Sequence, residues 1–89
     1  MGGRRRSPRR RALVDAKLTE LMLFAKGLCP AATVKAEPIQ YEDEDGHVDV
    51  FPPPALPEEE IERIVTALAD RTAKIYEDTG LFLVAAVLN

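Results

Sequence analysis

The densest group of chemically active side chains in the sequence lies between Gln40 and Phe51. This stretch reads QYEDEDGHVDVF and holds five carboxylates together with the only histidine of the chain. Carboxylate oxygens and imidazole nitrogens are ligands for divalent metals, and the same groups carry general acid–base catalysis. The composition of this stretch therefore raises three alternatives: a metal site, a catalytic site and a solvated turn.

The stretch does not fit a calcium-binding EF-hand loop. Such a loop needs acids or amides at positions 1, 3 and 5, glycine at position 6 and glutamate at position 12. With Gly46 at position 6, Asp43 and Asp45 fall on positions 3 and 5. Positions 1 and 12 are then Tyr41 and Pro52, which are not acids. Because two essential ligands are missing, the pattern does not predict a calcium site.

A transition-metal site fits the spacing but is not specific. His47 and Asp49 are two residues apart, so on a strand both side chains project from the same face. Asp45 or Glu42 could add a third ligand. However, one histidine with scattered carboxylates is common by chance, and a structural zinc site needs more cysteine and histidine than this chain has. We therefore expect neither a metal nor a cofactor.

Catalysis has less support than metal binding. Acid–base catalysis needs two groups whose surroundings drive their pKa values apart, and carboxylates on a solvated loop tip lack such surroundings. Ser7 lies in an arginine-rich leader. Cys29 has no histidine near it in sequence, and we interpret it as a small buried hydrophobe. No glycine-rich phosphate-binding loop occurs. The sequence therefore predicts that the protein is not an enzyme.

Residues 42–46 are more typical of a hairpin turn. Asp45-Gly46 is a favoured pair for such a turn, and the flanking acids keep it soluble and discourage pairing at a sheet edge. We therefore predict a solvated tip. On this interpretation, joint replacement of Asp43, Glu44 and His47 by alanine costs less than about 1 kcal/mol.

Two helices and three strands are predicted around this stretch. Apolar residues at spacings of three and four indicate the helices, and alternating or continuous apolar residues indicate the strands. In chain order these are a helix over 12–28, strands over 34–41 and 47–51, a helix from Pro57 to about Gly80, and a strand over 81–88. The order is typical of an α+β domain.

The connections between these elements predict the sheet. A right-handed crossover through the second helix makes the last strand parallel to the second strand, whereas the first two strands form an antiparallel hairpin. Pro38 cannot donate a ladder hydrogen bond, so the first strand is expected at an edge or with a bulge. We predict a small α-β-β-α-β domain over 12–89, with a three-stranded mixed sheet and both helices on one face.

Residues 1–11 form a separate basic segment, MGGRRRSPRRR. It has six arginines and no acid, whereas residues 12–89 have six basic and fifteen acidic residues, a net charge of −9. With so few apolar residues we expect a disordered tail. Its arginines could bind the phosphates of a nucleic acid. They are Arg4, Arg5, Arg6, Arg9, Arg10 and Arg11. Non-specific adhesion to anionic surfaces and an inert leader are the alternatives, because the acidic body repels phosphate.

The strand over 81–88, LFLVAAVL, has no polar residue. Its side chains alternate between two faces, and two helices on one face cover only one of the two sets. The other set is Phe82, Val84, Ala86 and Leu88. An exposed apolar strand near a sheet edge favours a partner, so we predict that these four residues form an interface. A homodimer is the simplest interpretation and a heteromeric complex the second; a monomer is consistent if helix 1 packs on the opposite face.

The sequence favours a small non-catalytic interaction or accessory protein that acts as a dimer or as a subunit of a complex. The alternative is a nucleic-acid-associated accessory protein that uses the arginine arm. The longest apolar run has eight residues, against about 20 for a membrane span. Charged residues at 15, 17 and 20 interrupt the region where a signal peptide needs an apolar run. With one unpaired cysteine, these features predict a cytoplasmic location and no membrane contact.

Overall fold

The computed structural model describes residues 8–37 and 44–88. The elements are α1 (Pro8–Leu28), β1 (Thr33–Glu37), β2 (Gly46–Phe51), α2 (Glu58–Thr79) and β3 (Leu83–Val87). The three strands form one sheet in the order β1-β2-β3. β1 and β2 are antiparallel, and β2 and β3 are parallel. The predicted α+β fold with a mixed three-stranded sheet is confirmed.

Both helices pack on the same face of this sheet. α1 lies over β1 and β2, whereas α2 lies over β3. Val48 and Val50 of β2 are fully buried between the sheet and the helices, together with Leu21 of α1 and Leu68 of α2. Cys29 is a free thiol and is buried. In the described part of the chain, no helix is long and apolar enough to cross a membrane.

Gly46, the first residue of β2, allows α1 and β3 to approach the sheet closely. A Cβ atom at this position would lie 2.9 Å from side-chain carbons of both Leu18 and Leu83. That distance is shorter than van der Waals contact, so a side chain here would require the Leu18 and Leu83 side chains to move. The absence of a side chain therefore lets the two flanking elements converge at the beginning of the central strand.

The ends of α2 follow from its sequence. Three glutamates, Glu58 to Glu60, lie in the first turn, where the positive end of the helix dipole stabilises acids. Gly80 ends the helix with φ 78°, a left-handed conformation that glycine adopts without steric cost. Its N–H donates to the carbonyl of Tyr76 at 2.7 Å. The residues of α2 that are buried against the sheet are Ile64, Leu68 and Ile75.

α1 begins at Pro8 rather than at Ala12, which differs from the predicted tail over residues 1–11. Proline is favoured in the first turn of a helix, because its missing N–H has no partner there in any case. Arg10 also ties this turn to the sheet, since its Nη2 donates to Asp45 Oδ1 at 2.9 Å. Residues 8–11 are therefore helical. Residues 1–7 lie outside the described residues, and their disorder stays a prediction.

Candidate functional site

The described acids beside His47 are buried, so the prediction of a solvated turn is wrong for Glu44 and Asp45, whereas Glu42 and Asp43 lie outside the described residues. Glu44 is 1% exposed and His47 is 5% exposed, and Asp45 and Asp49 are buried as well. Gly46 already belongs to β2, so Asp45-Gly46 is not the hairpin turn. The chain between β1 and β2 runs through residues 38–43, which lie outside the described residues. The buried charges therefore need partners inside the protein.

His47 lies between two carboxylates. Its Nδ1–H donates to Glu44 Oε2 at 3.1 Å, and its Nε2–H donates to Asp49 Oδ1 at 3.0 Å. Ionised carboxylates only accept hydrogen bonds, so both ring nitrogens donate when the ring is protonated as an imidazolium. Burial acts to lower the pKa of His47, but the hydrogen bonds and charges of Glu44 and Asp49 outweigh burial and raise this pKa above its ordinary value.

The position of His47 on the central strand determines its neighbours. Residues 47 and 49 share one face because side chains alternate along a strand. The opposite set, at 48 and 50, points into the core, so this face is the one that the helices leave uncovered. His47 is in register with Val84 of β3, and Asp49 with Ala86 of β3 and Lys35 of β1. The charged cluster therefore lies directly beside β3.

Asp45 connects three parts of the fold. Its backbone N–H donates to the carbonyl of Phe82 at 2.6 Å, and its Oδ2 accepts the backbone N–H of Phe82 at 2.8 Å. Its other carboxylate oxygen accepts the hydrogen bond from Arg10 described above. Asp45 thus extends the pairing of β2 with β3 and anchors the first turn of α1. Phe82 is held at the beginning of β3 by two hydrogen bonds to one residue.

Among the described residues, the cluster is a hydrogen-bonded ionic network. Every buried side-chain nitrogen or oxygen of the described residues has a hydrogen-bond partner. Both nitrogens of His47 are occupied, so the ring offers no lone pair to a metal or to a substrate proton. Within residues 8–37 and 44–88, no group of three or more histidine, cysteine or acidic side chains is arranged to hold a metal ion.

Sequence reasoning identified the residues of this cluster but not their bonding. The spacing of His47 and Asp49 placed both on one strand face, which the structure confirms. Glu44 was assigned to a turn because it lies among four other acids. Its spacing of three residues from the histidine is visible in the sequence, but the bend before β2 that makes the contact is not. A bend there returns the carboxylate toward the imidazole.

The four predicted interface residues lie together on the sheet face that the two helices do not cover. They are Phe82, Val84, Ala86 and Leu88, and we call them the β3 surface. Phe82 and Leu88 are each 41% exposed, and the two residues between them are half-buried. The alternate set begins with Leu81 and Leu83, which are fully buried in the core. The role of the four residues of the β3 surface as an interface stays a prediction.

β3 is also an edge strand. In the described part of the chain it pairs with β2 and with no other strand. The N–H of Leu88 donates to the carbonyl of Val50 at 2.8 Å, so Leu88, like Phe82, directs its backbone groups toward β2. Because the direction alternates along a strand, every second residue between them directs its N–H and C=O to the open edge. These residues are Leu83, Ala85 and Val87.

The predicted nucleic-acid arm is only partly within the described residues. Arg9, Arg10 and Arg11 lie in the first turn of α1. Arg9 and Arg11 are exposed, whereas Arg10 is partly buried and bonded to Asp45. Arg10 is therefore part of the fold. Residues 4–6 lie outside the described residues, so their role in the arm stays a prediction.

Comparisons of this chain with protein-family models, with curated proteins and with solved structures find no match. Its function is therefore inferred from its own residues and their geometry.

Proposed function

We propose that this chain is a non-catalytic interaction protein whose working surface is β3. One observation carries the proposal: residues 81–88 contain no polar or charged side chain, although β3 is at the edge of the sheet. Soluble proteins protect such edges with lysine, proline, bulges or very short strands, because an open edge pairs readily with other strands. An unprotected edge of this kind is typical of a surface that a protein partner covers.

The opposite edge of the same sheet supports this interpretation. β1 carries Lys35 and Glu37 within five residues and is followed by Pro38. Charged residues and proline are the devices that discourage pairing at an edge. The sheet thus has one protected edge, at β1, and one unprotected edge, at β3. The contrast favours β3 as the edge that binds a partner.

The buried cluster around His47 is the other candidate for a functional site. Its geometry does not suit catalysis, which leaves β3 as the favoured working surface. Catalysis needs a titratable group that can exchange a proton with a bound molecule. His47 is held on both sides by carboxylates of its own chain and is buried. We therefore assign the cluster to the support of the sheet and the interaction to β3.

The proposal is tested by placing charges on the β3 surface. Phe82→Lys together with Leu88→Lys changes two exposed side chains, so the fold tolerates both. The matched control is Leu23→Lys on α1, which is 68% exposed and lies on a helix that packs on β1 and β2. In sedimentation velocity, we expect the unmodified protein and the control to associate and the double variant to lose association.

A partner other than a second copy is tested with the same three proteins. If the unmodified chain is monomeric, each of the three is used as bait for proteins of the native cell. Partners retained by the unmodified chain and by Leu23→Lys, but lost with the double variant, support a β3 interaction surface. The proposal is wrong if the chain is monomeric and all three proteins retain the same partners.

The second candidate function is contact with nucleic acid, favoured by the exposed Arg9 and Arg11 and by the absence of acids in the first turn of α1. We expect weak duplex-DNA binding that is indifferent to sequence. Removal of residues 1–7 combined with alanine at 9 and 11 should abolish it. With at most six phosphate contacts, the slope of log K against log salt should be no steeper than about −5. Sequence-specific binding by the shortened variant would contradict this role for the arm.

A further inference from the structure

We infer, on the basis of the proposed interaction function, that the partner of β3 is a second copy of this chain. The two β3 strands pair edge to edge and antiparallel, with Ala85 of one copy opposite Ala85 of the second copy. The two copies then share one six-stranded sheet. Three features of the described residues carry this inference: the backbone groups of the edge, the side chains of the β3 surface, and an exposed flank of α2.

The backbone groups of the open edge are self-complementary. Three alternate residues, Leu83, Ala85 and Val87, direct both N–H and C=O outward. In an antiparallel ladder, residues that face each other in this way exchange two hydrogen bonds. With Ala85 on the two-fold axis, Leu83 of each copy faces Val87 of the other. The three pairs form about six hydrogen bonds, and no outward-directed group of β3 is left without a partner.

The side chains of the β3 surface match in the same register. Phe82 lies opposite Leu88 of the second copy, and Val84 lies opposite Ala86 of the second copy. The exposed side chains at the two ends of the surface therefore cover each other. Apolar cross-strand pairs of this kind stabilise antiparallel strands. If the pairing register of the two strands moves by two residues, one end of each strand is left unpaired. If it moves by one residue, the two faces of the strand are exchanged.

α2 has an exposed apolar flank above the open edge. Its opposite flank faces α1, where Arg71 stacks on the ring of Phe24 with its guanidinium carbon 4.2 Å from the ring centroid. The flank turned away from α1 carries Val65, Ala69 and Tyr76, all of which are exposed. Because α2 lies over β3, the outermost strand, this flank faces the space that a paired second copy occupies.

The two-fold axis brings this flank against its own counterpart. α2 runs antiparallel to α2 of the second copy, because the axis reverses every element. Ala69 lies near the middle of the flank, and its small side chain permits the separation of about 8–10 Å at which helices pack. Val65 and Tyr76 lie toward the two ends and cover apolar area there. The acidic residues of this flank, Glu58 and Glu62, are at its N-terminal end, where solvent screens their charge.

Cysteine cross-linking tests the register. Val84→Cys and Ala86→Cys are made as two separate proteins, each with Cys29→Ala so that no other thiol is present. Residues opposite each other in this part of the ladder have Cβ atoms about 4.5–5.5 Å apart, close enough for a disulfide after a small adjustment. Two copies of the same variant place their thiols on a diagonal about 7–8 Å apart, which is too far.

We expect the mixture of the two variants to cross-link at least about tenfold more than either variant alone, because only the mixed pair meets disulfide geometry. A mixture of Phe82→Cys and Leu88→Cys repeats the test at exposed positions. This second pair replaces the first if Val84→Cys or Ala86→Cys lowers the melting temperature strongly. Leu23→Cys mixed with Val84→Cys is the control for random collision, and we expect no cross-link from it.

Equal cross-linking in the mixture and in the single variants would overturn the register. No cross-linking from either pair, with an unmodified protein that sediments as a dimer, would overturn this inference and leave the proposed interaction function intact. No cross-linking with an unmodified protein that is monomeric would overturn the inference as well. The bait experiment with the charged β3 variants then decides the proposed function separately.

Discussion

The sheet face opposite the helices has two halves of opposite character. On β2, His47 and Asp49 are charged and yet buried, whereas Phe82 and Leu88, which flank β3, are apolar and yet exposed. Both halves reverse the usual distribution of side chains. The charged half is compensated within the chain, because each nitrogen of the imidazolium donates to a carboxylate. The apolar half has no such compensation within the described residues, and this difference is the basis of the proposed interaction surface.

The charged half also holds the apolar half in position. Asp45 binds the N–H and the carbonyl of Phe82, the first residue of the β3 surface. His47 is in register with Val84, its second residue. A rigid edge costs less conformational entropy on association than a mobile one. Under the proposed β3 interaction, the buried charges contribute to binding by fixing the position of β3.

The largest expected effect comes from breaking the charged half. His47→Ala leaves the carboxylates of Glu44 and Asp49 buried without their cation, and the loss of one partner from a buried ion pair costs about 3–5 kcal/mol. For a domain of this size we expect unfolding or a very low melting temperature, measured by circular dichroism. Lys35→Ala, an exposed change on the same sheet face, is the matched control and should cost less than about 1 kcal/mol. Equal melting temperatures for the two variants would contradict the ionic network.

A smaller effect is expected at the junction of the two halves. Asp45→Ala removes the acceptor for the N–H of Phe82 and the partner of Arg10, and loss of such a buried acceptor costs about 1–3 kcal/mol. The end of β3 then loosens, and association should weaken at the same time. Asp45→Asn keeps an acceptor for Phe82 and should be intermediate in a denaturant titration. The account is contradicted if Asp45→Ala matches the unmodified protein in both stability and association.

The charged half also predicts a pH dependence. The pKa of His47 is raised in the folded protein, so protonation of the ring stabilises the fold. This contribution is complete below the ordinary histidine value of 6.5, and it is lost as pH rises through the folded-state pKa. We therefore expect the free energy of unfolding to fall in that window. His47 is the only histidine, so its ring protons give one NMR titration curve. A midpoint at or below 6.5 would show that the carboxylates do not hold the imidazolium.

The smallest effect on stability is expected from the apolar half. Phe82→Lys with Leu88→Lys alters side chains that are already exposed, so each should change the free energy of unfolding of the monomer by less than about 1 kcal/mol. The measurement is a denaturant titration at low protein concentration, where association does not add stability. The two halves then differ as proposed: damage to one unfolds the chain, and damage to the other only prevents association. Unfolding of the double variant would show that the β3 surface belongs to the core.

Periodicity in the sequence was sufficient to predict the fold. The stripe of α2, the alternation of Val48 and Val50 and the crossover rule together determine the mixed sheet, because they depend on local spacing and chain handedness. The apolar run over 81–88 also indicated a strand with two apolar faces. These features are visible in sequence because each depends on residues close together in the chain.

The burial of the charged cluster and the beginning of α1 could not be predicted in the same way. Glu44 bonds His47 only because the chain bends at Asp45, and a run of acids gives no indication of that bend. Arg10 joins the fold through Asp45, which is 35 residues away in sequence. Composition favoured a solvated turn and a disordered tail, since isolated charges prefer water. At residues 8–11 and 44–49, partners inside the fold outweigh that preference.

Sedimentation equilibrium of the unmodified protein tests the central claim most directly. The protein is measured at pH 7 from about 1 to about 100 µM, because a dimer responds to concentration by mass action. The account predicts an average mass that rises toward twice 9.8 kDa and no further, since pairing at β3 closes with two copies. A folded protein with a mass of 9.8 kDa across the whole range would contradict the self-pairing of β3.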